Sequence, residues 1–142
     1  MIALAAALLL LTQTGPADSS PDSSVVVTFE TGARTGSVMV ALYNSEAAYG
    51  AGPAVAQAAI PASGEVVARF ENLPAGDYAV KAFHDVNGDG QMTTNPFGIP
   101  IEPYAFSNNA VGNMGPARWA AARFPVSGAT AQTITIRQEP PR

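Results

Sequence analysis

The sequence predicts an all-β chain: a single antiparallel β-sandwich with one long ordered loop and at most one or two short helical turns. Three observations predict it. Apolar residues recur at every second position in short segments, as in Val25, Val27, Phe29 and again in Val66, Ala68, Phe70, which is the period of a strand with one buried face. Clusters of Gly, Pro, Asn and Ser separate these segments. No segment sustains the 3.6-residue apolar period of a helix, so sheet must pack on sheet. With 142 residues the chain is long enough for one core and too short for two.

The first residues read as an export signal over 1–17. Residues 1–11 are apolar and uncharged, and too few to cross a bilayer as a helix. Gly15-Pro16-Ala17 then supplies small residues where a signal peptidase cuts. No Lys or Arg follows Met1, which departs from the usual positive start; an uncleaved anchor or a start further upstream are the alternatives. Residues 18–24, rich in Asp and Ser, form a disordered leader, and the sandwich domain spans 25–137.

Within it, strand one carries Val25, Val27 and Phe29, and 31–36 turns the chain. Strand two sets Val38, Val40 and Leu42 against Met39, Ala41 and Tyr43. The stretch 44–60, Ala-rich and broken by Gly50, Gly52 and Pro53, reads as a helical turn near 45–49 and an irregular crossover. Strand three follows at 66–71. A Pro-x-Gly turn at 72–77 leads into strand four, where Tyr78, Val80, Ala82 and His84 share one face and Lys81 and Asp85 the other. After a long central loop, 117–121 suits a helical turn. Ala122, Phe124 and Val126 suit a short strand, and 132–137 a last one with Ile134 and Ile136 inside. Residues 138–142 form a flexible tail.

Composition excludes several classes of function. The net charge is −4, and the seven basic residues are scattered singly from Arg34 to Arg142, so no patch exists to neutralise nucleic-acid phosphates. The absence of cysteine removes disulfides, thiolate zinc sites and cysteine nucleophiles. Once the signal is removed, nothing is left to span a membrane.

The unusual chemistry lies in 84–109. Asp85, Asn87 and Asp89 alternate as D-x-N-x-D-G, with Gly90 at the sharp turn, the pattern by which a loop wraps calcium. Counted from Asp85, Gln91 supplies a backbone carbonyl, and Pro96 falls where a bidentate acid is needed. The closing ligand must come from elsewhere, and Glu102 is the natural source; the other nearby oxygens, on Thr93, Asn95, Ser107, Asn108 and Asn109, are neutral. Asn, Asp and Gly also favour metal-free Asx-turns, and that reading stands beside the calcium one. The length of the segment favours something that orders it.

His84 is the one histidine. A His84–Ser107 nucleophile pair is conceivable, but Asp85 points to the opposite face and is poorly placed to orient the imidazole. There is no G-x-S-x-G elbow and no second histidine for zinc. Phe97, Tyr104, Phe106 and Trp119 fit either a shallow platform for a saccharide or peptide, or a minor core pinning the loop. Arg118 and Arg123, beside Trp119, are placed to pair with Glu102 or Asp77.

F-E-N-L-P-A-G-D-Y-A-V at 70–80 resembles the local signature of prealbumin-like (transthyretin-like) sandwiches within the broader Ig-like class. There the Tyr anchors the core after the Pro-x-Gly turn. G-S-V-M-V-A-L-Y-N at 36–44, L-P-A-G-D-Y-A-V-K-A-F-H-D-V-N-G-D-G at 73–90 and F-G-I-P-I-E-P-Y-A-F-S-N-N at 97–109 are similar to an exported bacterial family, domain of unknown function 2141, over roughly 25–137. The resemblance implies export and a β-sandwich, and carries no activity. Where that family's loop continues with an acid, this chain has Thr93, which removes one candidate ligand.

The expectation is therefore an exported, periplasmic or surface, non-enzymatic module with a calcium-stabilised loop, serving a binding or structural role toward a protein or saccharide ligand. A hydrolase using His84 with Asp85 or Glu102 is the alternative, and it requires an accessible His84. An accessory partner-binding domain is a third reading, favoured by an exposed, unpaired edge strand.

Overall fold

The computed structural model describes residues 22–86, 88, 96–97, 102–112 and 115–136. Eight strands among them form two sheets: β1 (Ser23–Thr31), β2 (Ser37–Tyr43), β3 (Ala56–Pro61), β4 (Val66–Leu73), β5 (Gly76–Asp85), β6 (Tyr104–Phe106), β7 (Phe124–Val126) and β8 (Ala129–Ile136). The first sheet has the order β4-β1-β8. The second has the order β3-β2-β5-β6, with β7 also paired to β5. Two short helices, α1 (Glu46–Ala51) and α2 (Trp119–Ala122), and a 3-10 turn at Ser107–Asn109 lie outside the sheets. No helix among the described residues is long and apolar enough to cross a membrane.

Alternation places the core where the sequence implies. Val25, Val27 and Phe29 of β1, Val66, Ala68 and Phe70 of β4 and Ile134 and Ile136 of β8 pack against Val38, Val40, Leu42, Tyr78, Val80 and Ala82 of the facing sheet. Burying each large aliphatic or aromatic side chain contributes about 1.5–3 kcal/mol. Tyr78 is buried, and its hydroxyl donates to the Pro74 carbonyl at 2.6 Å. The phenol therefore ties the Pro-x-Gly turn to the strand it precedes, as the sequence motif implies.

The strands of the first sheet are not all antiparallel. β8 runs parallel to β1 from Ser24↔Ala129 to Thr31↔Ile136. The cause is the route of the chain. β7 pairs antiparallel with the start of β5, and the turn after it delivers the chain to the beginning of β1, where Ser24 N donates to Gly128 O at 2.9 Å. From there β8 can only run alongside β1 in the same sense.

Two further strands lie in stretches expected to be irregular. β3 occupies the last part of the expected crossover. Its alanines are poor strand formers, and the ladder to β2, from Ser37↔Pro61 to Leu42↔Ala56, overrides that preference. β6 lies inside the expected long loop, opposite 81–83 of β5. The remaining shifts are at boundaries: β1 begins at Ser23, inside the leader expected over 18–24, β8 begins at Ala129 rather than 132, and α2 covers 119–122 rather than 117–121.

The second sheet also carries a small core on its outer face. Tyr49, Ala79, Phe106, Ala117 and Ala122 are buried there, with Tyr43, Tyr104 and Trp119 packed around them. The outer side of β5 is thereby covered by α1, α2 and the chain leaving β6.

Candidate functional site

The candidate site lies where β5 ends. Gly36, just before β2, has φ +72°, and a Cβ there would collide with the Asp85 carbonyl. Glycine thus lets the 31–36 turn sit directly on the end of β5. The consequence falls on His84, which is fully buried. Its Nε2 lies 2.7 Å from the Thr35 carbonyl. A carbonyl only accepts, so Nε2 carries the proton, and Nδ1 finds no hydrogen-bond partner among the described residues. The backbone N–H of His84 donates to Pro103 O at 2.8 Å.

Asp85 points to the other face, as the alternation requires, and is also buried. Its Oδ1 accepts from Gly88 N at 3.1 Å, an Asx-type closure of the loop's first residues. Glu102 is 6% exposed, and its Oε2 accepts from Val86 N at 3.0 Å. The acid named from sequence as the closing ligand is thus bonded to the amide adjacent to the first ligand. Two carboxylates, Asp85 and Glu102, flank the entry and exit of the connection from β5 to β6. Asn87, Asp89, Gln91 and Asn95 lie outside the described residues, as does Thr93. Among the described residues no three acidic or imidazole groups come together in a way that would hold a metal.

The remaining candidates do not join this pair. Ser107 is fully buried, accepts from Val80 N at 2.9 Å and donates to Ala122 O at 2.5 Å. It stands beside Val80, four residues from His84 along β5, or about 13 Å at a strand's rise per residue. The His84–Ser107 nucleophile pair is therefore not formed, and the buried imidazole lacks the solvent access that the hydrolase reading required.

Asn108 and Asn109 take left-handed conformations, φ 60° and 50°. Asn108 Nδ2 donates to Ala121 O and Arg123 O at 3.1 and 2.8 Å, and Gln132 Nε2 donates to its Oδ1 at 2.9 Å. Asn109 donates to Thr133 O and accepts from Thr135 N, at 3.3 and 3.0 Å. Both side chains fasten the 3-10 turn to α2 and β8.

The aromatic set divides. Phe97 is 86% exposed, whereas Phe106 and Trp119 belong to the outer core with Tyr104 beside them. Arg123 pairs with Asp77 at 3.3 Å, both exposed.

Sequence reasoning passed over Lys81 at the centre of that outer core. Its Nζ lies 4.3 Å from the Tyr49 ring centroid and 5.1 Å from that of Tyr43, and donates to the Tyr49 carbonyl at 2.5 Å. Burial lowers its pKa. Tyr49 donates its hydroxyl to Ala117 O at 2.5 Å. Its pKa is pushed up to about 12, by burial first and by the neighbouring Tyr43 second. The outward position of Lys81 on β5 was legible; that two tyrosines would roof it depends on the path of α1.

Fold and site together define a small β-sandwich in which buried carboxylates secure one long connection. The chain belongs to the family described as uncharacterized protein conserved in bacteria (DUF2141), whose model matches residues 26–135. No curated protein and no solved structure matches it.

Proposed function

We propose that this chain is an exported β-sandwich module of the prealbumin-like type, without catalytic machinery. Calcium fixes its 84–109 segment, and the module serves a binding or structural role in the periplasm or at the cell surface. The observation that supports the calcium reading most is the burial of both Asp85 and Glu102. Two carboxylates are withdrawn from water at the two ends of the connection from β5 to β6, and Glu102 is bonded to the residue after Asp85. Asp85 and Glu102 would be the first and last ligands of the ion, with Asn87, Asp89 and the Gln91 carbonyl between them. Bound there, a hard cation supplies positive charge and oxygen coordination. The chain's own residues close the loop around it through the Gly88 and Val86 amides.

Calcium titration by calorimetry, followed by thermal melting, tests this. The expected result is a binding isotherm and a rise in melting temperature, both lost in Asp85→Ala, Asp89→Ala and Glu102→Gln. At calcium a hundredfold above Kd the native state gains about 2.7 kcal/mol. No isotherm and no shift at millimolar calcium would sink the reading. Export is tested separately, by the N-terminal mass of the protein recovered from the cell envelope: cleavage after residue 17 is expected.

A further inference from the structure

We infer that the free edge of β3 is a self-association surface. Two copies would pair their β3 strands antiparallel about a two-fold axis at Ala59, joining two second sheets into one continuous sheet. Among the described residues β3 is the end strand of its sheet, and an end strand presents a row of backbone N–H and C=O groups that has to be protected or used.

The other edges are protected. On β8, the Asn109 amide donates to Thr133 O and accepts from Thr135 N, taking the place of a neighbouring strand. β4 carries exposed Arg69 and Glu71, with Glu65 at its entry. β6 and β7 are three residues each, and β7 has Pro125 at its centre. β3 carries one of these devices only at its last residue, Pro61, and none along 56–60. Its register with β2 runs without a shift, and no charged residue occurs between Glu46 and Glu65. Val55, 45% exposed, stands just before it.

The groups on offer match a second copy. Ala62 N donates to Gly36 O at 3.0 Å. Counting back by twos along the ladder, Ile60, Ala58 and Ala56 face β2, while Gln57, Ala59 and Pro61 turn their backbone groups outward. Laid antiparallel, Ala59 of each copy exchanges both bonds with Ala59 of the other. Each Gln57 N–H meets the Pro61 carbonyl of the second copy. Proline has no N–H to give, so the ladder stops there. Gln57, Ala59 and Pro61 are exposed, and Ala59 at the axis is small. The two-fold arrangement consumes both free edges, giving a closed dimer rather than a filament.

Because the chain has no cysteine, single cysteines test the register directly. Antiparallel hydrogen-bonded pairs have Cα atoms about 5.5 Å apart, within disulfide reach. Ala59→Cys should therefore cross-link on mild oxidation. Gln57→Cys, which sets the two thiols about 14 Å apart, should not. Sedimentation of the purified full-length protein should show a dimer in the micromolar range. Ala59→Lys and Ala59→Pro should raise its dissociation constant at least about tenfold with unchanged circular dichroism, and Ala131→Lys on β8 should leave it unaltered. A monomer throughout, a dimer insensitive to Ala59→Lys, equal dissociation by Ala131→Lys, or equal cross-linking at 57 and 59 would each overturn the inference. A monomer that captures an extended peptide on β3 would reassign the edge to a foreign strand.

Discussion

Ser107 shows what burial demands of a single polar group. Its oxygen is completely enclosed, yet it accepts from one backbone amide and donates to one carbonyl. Ser107→Ala leaves the Val80 N–H and the Ala122 carbonyl without that partner. We expect a loss of about 1–3 kcal/mol in urea unfolding, and a loss below about 0.5 kcal/mol would show that water replaces the hydroxyl. Tyr49 sets a pH dependence. Its folded-state pKa, about 12, lies above the ordinary 10.0. The stability it confers is therefore complete below pH 10 and is lost as pH rises through 12, since the unfolded phenol releases its proton first. Lys81, lowered by burial, acts with the opposite sign, because its neutral form suits the folded state and stability rises toward its ordinary pKa of 10.5. Denaturant melts across the alkaline range should show a net decline that Tyr49→Phe flattens; an unchanged slope would refute the assignment. At this scale the sequence made the identity of candidate residues legible, and much less of their roles. Asn108, Asn109 and Ser107 are oxygen donors in composition, but the carbonyls they meet belong to α2 and β8, which only the folded chain brings near.

At the scale of elements, legibility followed periodicity. β1, β2, β4 and β5 announce themselves because valines, aromatics and other apolar residues recur at every second position, and each has a buried inner face. β3 and β6 do not. β3 is built from alanines, whose strand preference is poor, and exists because β2 offers it a ladder; β6 is three residues long. The parallel pairing of β1 with β8 is equally silent in the sequence, since alternation fixes which face is buried and says nothing of strand direction. The 31–36 turn, in contrast, carries its signature in Gly36. Gly36→Ala places a Cβ against the Asp85 carbonyl and forces a left-handed φ on an L-residue. The conformational penalty alone is about 1–2 kcal/mol, so we expect a total loss above about 2 kcal/mol. Because the same turn supplies the Thr35 carbonyl to His84, burial should make the imidazole Nε2–H resonance visible in the parent protein, and it should broaden or vanish in this variant. Retention of that resonance at full stability would mean that the turn and β5 separate without consequence.

For the molecule as a whole, charge contributes little to holding the fold together. Charged residues are 13% of the chain, and Arg123–Asp77 is an exposed pair of the kind worth about 0–1 kcal/mol. The two sheets are held by their apolar inner faces, so general ionic screening has few interactions to weaken. This yields a control on the calcium proposal. Raising sodium chloride to high concentration should leave the melting temperature nearly unchanged, while millimolar calcium should raise it, because the effect runs through Asp85 and Glu102 rather than through net charge. Magnesium should stabilise less, since it demands octahedral geometry and gives up its waters reluctantly, whereas a loop of mixed side-chain and backbone oxygens suits the more permissive ion. Arg123→Ala should cost less than about 1 kcal/mol and leave any calcium response intact. If sodium chloride reproduced the calcium shift, the stabilisation would be general ionic screening and not an ion held by Asp85 and Glu102, and the calcium reading would fall.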